Sequence, residues 1–218
     1  MTDSIRFPRG LYGITPEWDD TDRLLHAIDQ AARGGMVALQ WRRKHLDAAQ
    51  GLAQARRIQD HCRQLGVLCI INDDWRLAAM IDADGVHVGR DDGTIADARL
   101  ALGDDRIVGS SCYSDIERAR QAIDAGVDYI AFGAVYPSPI KPDAVRVPLE
   151  VITQARALVE NITPAGERRV AICAIGGITP GNAAPVVAAG ADSLALISGL
   201  FEAPDIRAAA AACQALYA

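Results

Sequence analysis

Short apolar runs alternate along this chain with longer stretches in which apolar residues return every three or four positions. The runs at residues 11–15, 36–41, 67–72, 85–89, 107–111, 129–135, 170–176 and 193–198 predict buried strands. The stretches at residues 22–32, 48–65, 75–81, 95–102, 115–125, 149–159, 180–189 and 200–216 predict amphipathic helices. In the fifth of these, Ile116, Ala119, Ala122 and Ile123 share one helical face. Ser114 precedes that helix as a candidate cap, and Thr179 with Pro180 is placed to open the seventh. Gly66, Gly126 and Gly190 stand just past helix ends, where a left-handed residue is favoured.

Strand and helix in unbroken alternation mean parallel pairing through βαβ crossovers. Eight such units of roughly 27 residues fit a (β/α)8 TIM barrel of the α/β class. The competing open, doubly wound sheet favours a Gly-x-Gly-x-x-Gly turn after its first strand, and Thr15-Pro16-Glu17-Trp18 is no such turn. No shift of composition divides the chain, so residues 1–218 read as a single domain. Half of the residues are hydrophobic, enough for one sizeable core.

Charge and cysteine usage narrow the function classes. A net charge of −6 gives no support to a nucleic-acid partner, so any anion site must be local. The five cysteines are scattered, with no Cys-x-x-Cys pair, which argues for a reducing compartment and against a disulfide framework or zinc site. The first ten residues carry charge and no apolar leader, and no apolar stretch is long enough to cross a bilayer. The expectation is a cytoplasmic protein with no membrane partner; the sequence leaves homo-oligomerisation open.

Active sites of such barrels form where strands end, so the residues delivered there carry the chemistry. The second strand runs out into Gln40-Trp41-Arg42-Arg43-Lys44. If the strand continues, Gln40, Arg42 and Lys44 share one face, an amide and two cations suited to a phosphate or diphosphate. A solvated strand end is the plainer explanation of those three residues taken alone. The third strand delivers Asn72 and Asp73, the fourth Asp92, the fifth Ser110 and Ser111, and the sixth a proline-rich loop with Ser138 and Lys141. Two carboxylates, Asp73 and Asp92, at neighbouring strand ends beside a cationic cluster are the parts of a Mg2+–diphosphate site. Helix capping would also explain either aspartate alone. Gly176-Gly177 after the seventh strand and Ile197-Ser198-Gly199 after the eighth can offer backbone N–H groups to a second phosphate, or can be tight turns that merely need glycine.

Other reactive side chains add little. His87 lies within a strand pattern and reads as a hydrogen-bonded core imidazole, while His26, His45 and His61 read as surface residues. Cys112 has no histidine near it in sequence to activate it.

At these strand ends the chain resembles the thiamine phosphate synthase family. The matching motifs are Leu11-Tyr12-x-Ile14-Thr15, Leu39-Gln40-x-Arg42-x-Lys44, Ile71-Asn72-Asp73, the segment from Ala83 to Asp92, Tyr136-Pro137-Ser138-x-x-Lys141, Ala174-Ile175-Gly176-Gly177-Ile178 and Ile197-Ser198. The resemblance implies a transferase with two small-molecule substrates. It would join a hydroxymethylpyrimidine diphosphate to hydroxyethylthiazole phosphate, or its carboxylated form, releasing pyrophosphate in a dissociative, Mg2+-assisted substitution. It implies that Gln40, Arg42, Lys44, Asn72, Ser111 and Lys141 hold the pyrimidine diphosphate, with Arg42, Lys44 and Lys141 acting on the leaving group. It further implies Ser138, Pro139, Ile140, Gly177, Ile197 and Ser198 for the thiazole phosphate and Asp73 and Asp92 for Mg2+. The chain departs from the family's commoner Thr-x-Thr-Lys with Ser138-Pro139-Ile140-Lys141, and has Arg90 where glutamine is common. A related thiazole tautomerase shares the barrel, but that resemblance would place a histidine after the fifth strand, where this chain has Ser111-Cys112-Tyr113-Ser114. A non-catalytic precursor-binding paralogue is the remaining alternative; it has no need of the metal-ligating aspartates.

Overall fold

A computed structural model describes residues 4–89, 94–138 and 145–218. Eight parallel strands close into a barrel in chain order, each pairing with the next and the last with the first. They are β1 (Gly10–Ile14), β2 (Ala38–Trp41), β3 (Leu68–Asn72), β4 (Gly85–Val88), β5 (Ile107–Tyr113), β6 (Tyr129–Phe132), β7 (Ala171–Ile175) and β8 (Ser193–Leu196). The intervening helices are α1 (Thr21–Arg33), α2 (Ala48–Leu65), α3 (Trp75–Met80), α4 (Ile95–Leu102), α5 (Ile116–Asp124), α6 (Leu149–Ile162) and α7 (Ala184–Ala188), followed by α8 (Ser198–Phe201) and α9 (Ile206–Gln214).

Alternation along each strand sorts its side chains into two cores. Leu11, Leu39, Ile71, Val86, Val108, Ile130, Ile172 and Leu194 point outward and pack beneath the helices. Tyr12, Ala38, Ile70, Ile107, Tyr129, Ala171, Cys173 and Ala195 point inward and fill the barrel. Both faces are buried, which is why the strands read as continuous apolar runs. Phe7, just before β1, closes the N-terminal end of the interior, stacked on Tyr129 at 4.1 Å and edge-on to Tyr12 at 5.0 Å. Gly109 makes room for that aromatic filling, since a Cβ there would stand 2.0 Å from the Tyr129 ring.

The same end carries a repeated device that the apolar pattern conceals. Asp84, Asp128 and Asp192 each stand immediately before an even-numbered strand. Their carboxylates accept the backbone N–H of Cys69, Val108 and Ile172, each at 2.8 Å, on the preceding strand. Each aspartate thus ties two neighbouring strands at their entry. Asp192 also receives Arg169 at 2.7 Å on both oxygens and Arg156 at 2.8 Å.

Element existence follows the sequence pattern, and the differences lie at the ends of elements. The cap of α5 is Asp115, which accepts from the Arg118 N–H, rather than Ser114. The seventh helix starts at Ala184 because residues 179–182 form a turn, with Asn182 Oδ1 accepting the Thr179 N–H at 2.7 Å. The last helical stretch is broken: α8 is one turn, and Asp205 caps a fresh start at Ile206. β2 ends at Trp41 as its pattern predicts, so the condition that the strand continue to Lys44 is not met.

Candidate active site

The inward residues become polar toward the C-terminal end of the barrel. On consecutive strands, Gln40 on β2 follows Ala38, Asn72 on β3 follows Ile70, His87 on β4 follows Gly85, and Ser111 on β5 follows Gly109, each two positions further along. Asn72 pairs in register with His87, and His87 with Gly109. Gln40 is buried, and Asn72 and Ser111 are half-buried at the mouth.

A continuous hydrogen-bonded line links Gln40 and Ser111 through the interior. Gln40 Nε2 donates to Tyr12 OH at 2.8 Å, and the Tyr12 and Tyr129 hydroxyls lie 3.0 Å apart. Tyr129 OH is 2.9 Å from His87 Nδ1, and His87 Nε2 is 2.8 Å from Ser111 Oγ. Burial pushes both tyrosine hydroxyls well above their usual pKa, so each keeps its proton. His87 is thus the hydrogen-bonded core imidazole expected of it. His61 is not a plain surface residue: it is half-buried, with Nε2 3.3 Å from Asp29 Oδ1.

The cations after β2 are arranged by a carboxylate from the loop after β1. Thr15 Oγ1 accepts the Arg42 N–H at 2.9 Å, extending the contact between β1 and β2 past the strand end. Glu17 Oε1 accepts from Arg42 Nη1 at 3.1 Å, and Glu17 Oε2 accepts the Lys44 N–H at 3.3 Å. Arg43 turns away, its side chain 2 % exposed and paired with Glu17 and Asp19. Glu17 therefore holds the Arg42 side chain and the Lys44 backbone just past the end of β2, in place of a shared strand face.

Asp73 follows Asn72 in a left-handed conformation, φ 65°, with its N–H donated to the His87 carbonyl at 2.8 Å. Aspartate tolerates that conformation better than most residues. Asp74 caps α3 by accepting the Leu77 N–H at 2.9 Å, so capping does not explain Asp73. Thr94 caps α4 in a capping box with Asp97, which fills the capping role weighed for Asp92. Asp92, Pro139, Ile140 and Lys141 lie outside the described residues. Among the described residues no group of three or more His, Cys, Asp or Glu side chains could enclose a metal. The oxygen donor available here, Asp73, is of the kind that suits Mg2+, which binds through one or two carboxylates and completes its shell with water and phosphate oxygens.

Across the mouth, the ends of β6, β7 and β8 form a small cleft lined by Ser138, Gly176, Gly177, Ile197, Ser198 and Gly199, among others. Gly177 takes φ +62°, and a Cβ there would stand 2.3 Å from the Pro137 carbonyl, so only glycine lets the two loops meet. Asn182 braces the cleft: its Nδ2 donates to the Gly177 carbonyl at 3.0 Å, and its own carbonyl accepts from Tyr136 OH at 3.0 Å. No sequence signal marks Glu17, Tyr12 and Tyr129 for these contacts, because their partners lie far away in the chain, and the Asn182 brace is a local turn hidden under a helical pattern. Cys112 offers no nucleophile, since burial pushes its thiol up to about 12.

Similarity to known proteins shows the family. A family model described as "Thiamine monophosphate synthase" matches residues 11–200. The chain is 59% identical over 212 residues to a thiamine-phosphate synthase of Bordetella avium (strain 197N), covering 97% of this chain and 96% of that one. It is 49% identical over 214 residues to a thiamine-phosphate synthase of Thiobacillus denitrificans, covering 97% and 96%. Among solved structures, a thiamine phosphate pyrophosphorylase from Pyrococcus furiosus superposes with a TM-score of 0.79 at 30% identity, covering 95% of this chain and 94% of that one.

Proposed function

Since the chain belongs to the thiamine monophosphate synthase family, we propose that the two sides of its barrel mouth hold the two substrates of a thiamine phosphate synthase. The family membership makes it a transferase, and favours neither the tautomerase nor the silent paralogue. The carrying observation is the division of the mouth. Polar and cationic residues of β2 to β5 stand opposite a glycine-lined cleft at β6 to β8.

In this reading a pyrimidine diphosphate lies over Gln40, Asn72 and Ser111, its diphosphate toward Arg42 and Lys44. A thiazole phosphate, carboxylated or not, lies opposite, its phosphate against the backbone of Gly177, Ile197 and Ser198 beside Ser138. Lys141, Pro139 and Ile140 join these sets from the segment after Ser138. Asp73 and Asp92 would hold Mg2+, whose charge would offset that of the diphosphate oxygens. The reaction breaks the bond between the pyrimidine methylene carbon and the diphosphate oxygen; the electron pair leaves with pyrophosphate. The thiazole ring nitrogen then gives its lone pair to the methylene carbon, forming thiamine phosphate. Negative charge grows on the leaving group, so cations fixed before the reaction stabilise the transition state more than the ground state. Arg42, already oriented by Glu17 at 3.1 Å, is such a cation.

Mixing the protein with both substrates, with and without Mg2+, tests the reading. Thiamine phosphate and pyrophosphate should appear in equal amounts and only with the metal. Turnover without metal would overturn the assignment of Asp73 and Asp92; binding of both substrates with no pyrophosphate released would overturn the enzyme.

A further inference from the structure

Five side chains from five strands form the line Gln40, Tyr12, Tyr129, His87 and Ser111. Its two ends face the pyrimidine substrate in the reading above, on which this inference rests. Its three middle members have no assigned role. The direction of the line follows from counting protons. The Gln40 amide nitrogen can only donate, so Tyr12 accepts there and gives its single proton to Tyr129. Tyr129 then gives its proton to His87 Nδ1. That nitrogen must be bare, and the imidazole proton sits on Nε2, aimed at Ser111 Oγ. Ser111 accepts from below and keeps its own proton for the mouth of the barrel.

The opposite direction fails on the same count. If Ser111 donated to His87, the Tyr12 proton would meet the Gln40 NH2 group. Tyr12 is 1% exposed, so no solvent could accept that proton instead. A doubly protonated imidazole fails as well, because Tyr129 would receive protons from both neighbours and have no acceptor for its own.

We propose that Tyr12, Tyr129 and His87 are positioning residues that polarise this line, so that Ser111 presents a hydrogen-bond donor to an acceptor lone pair of the pyrimidine substrate. Gln40 is fixed by the same line at the diphosphate side. One buried array thereby sets the polarity of two substrate contacts on strands β2 and β5, which are not neighbours.

The test reads the imidazole directly. Long-range proton–nitrogen spectra of ligand-free protein labelled with 15N-histidine, with His87 assigned by its loss in His87→Gln, should show a neutral ring protonated at Nε2. Tyr129→Phe removes the proton that fixes the ring, so both tautomers should appear. In that variant kcat/KM for the pyrimidine diphosphate should fall about tenfold, one lost oriented hydrogen bond, while KM for the thiazole phosphate stays within about twofold. His87→Gln can place an amide donor near Nε2 and should recover activity relative to His87→Leu. Should Tyr129→Phe fail to fold, Tyr12→Phe interrupts the same line and is read the same way. An Nδ1-protonated ring in the unaltered protein would overturn the proposal. So would a Tyr129→Phe protein with unchanged tautomer and kcat/KM. If the unaltered protein makes no thiamine phosphate, the functional reading fails instead, and the tautomer measurement still decides the direction of the line.

Discussion

Arg42 and Asp73 are each held past a strand end by one specific local arrangement, and each can be tested by substitution. Asp73 sits at φ 65°. Asn accepts that conformation, so Asp73→Asn should leave the melting temperature within about 2 °C while lowering kcat/KM by about a hundredfold or more, the loss that the proposed role in holding Mg2+ requires. Asp73→Ala should lose similar activity and in addition about 1 kcal/mol of stability, because alanine pays more for left-handed backbone. Urea unfolding and steady-state kinetics together separate the two effects. An equal stability loss in both variants would make the residue structural. Arg42→Ala should likewise cost about a hundredfold in kcat/KM. Cys112 supplies a contrasting residue: with its thiol pushed up to about 12, it should remain unalkylated by iodoacetamide at pH 8 in the folded protein, read by intact mass.

The elements that matter most are the loops, and they were the least legible from pattern. The cleft after β7 depends on a turn at residues 179–182 braced by Asn182, where helical periodicity and the Thr179-Pro180 pair predict a helix. Periodicity counts apolar positions and is blind to a side chain that satisfies two backbone groups. The proximity of the β6 and β7 loops gives a prediction. Gly177→Ala should raise KM for the thiazole phosphate about tenfold or more, since the added Cβ meets the Pro137 carbonyl at 2.3 Å and the cleft must open. KM for the pyrimidine diphosphate should change by less than about threefold. A uniform rise in both would point to general loosening of the mouth.

At the scale of the whole molecule, the closed barrel is tied at its entry by aspartates, and one of them, Asp192, makes its stability depend on acid. Burial opposes the charge on Asp192, but the Arg169 hydrogen bonds, Arg156 and the Ile172 N–H outweigh it and hold the carboxyl below the usual range. A lowered folded-state pKa contributes stability that is fully present above the ordinary aspartate value of about 3.9 and is lost as pH falls through the lowered one. Urea midpoints should therefore drop steeply below about pH 4. Asp192→Asn should start less stable at pH 7 and show a shallower fall, because it has no proton left to take up there. Parallel curves for the two proteins would assign the acid sensitivity elsewhere.

Apolar patterning is enough to specify the closed α/β architecture, because strands buried on both faces and helices buried on one leave two distinct periods in the chain. It also placed Gln40, Asn72, Asp73, Ser111 and Gly177 at strand exits, since position along a strand is a local property. What those residues do to one another is set by the folded barrel. Glu17 reaches Arg42 across 25 positions, Tyr129 reaches Tyr12 across 117, and the His87 ring joins them to Ser111. Such contacts form when the ring of strands closes and turns every second side chain toward a common axis. No stretch of sequence encodes that convergence alone.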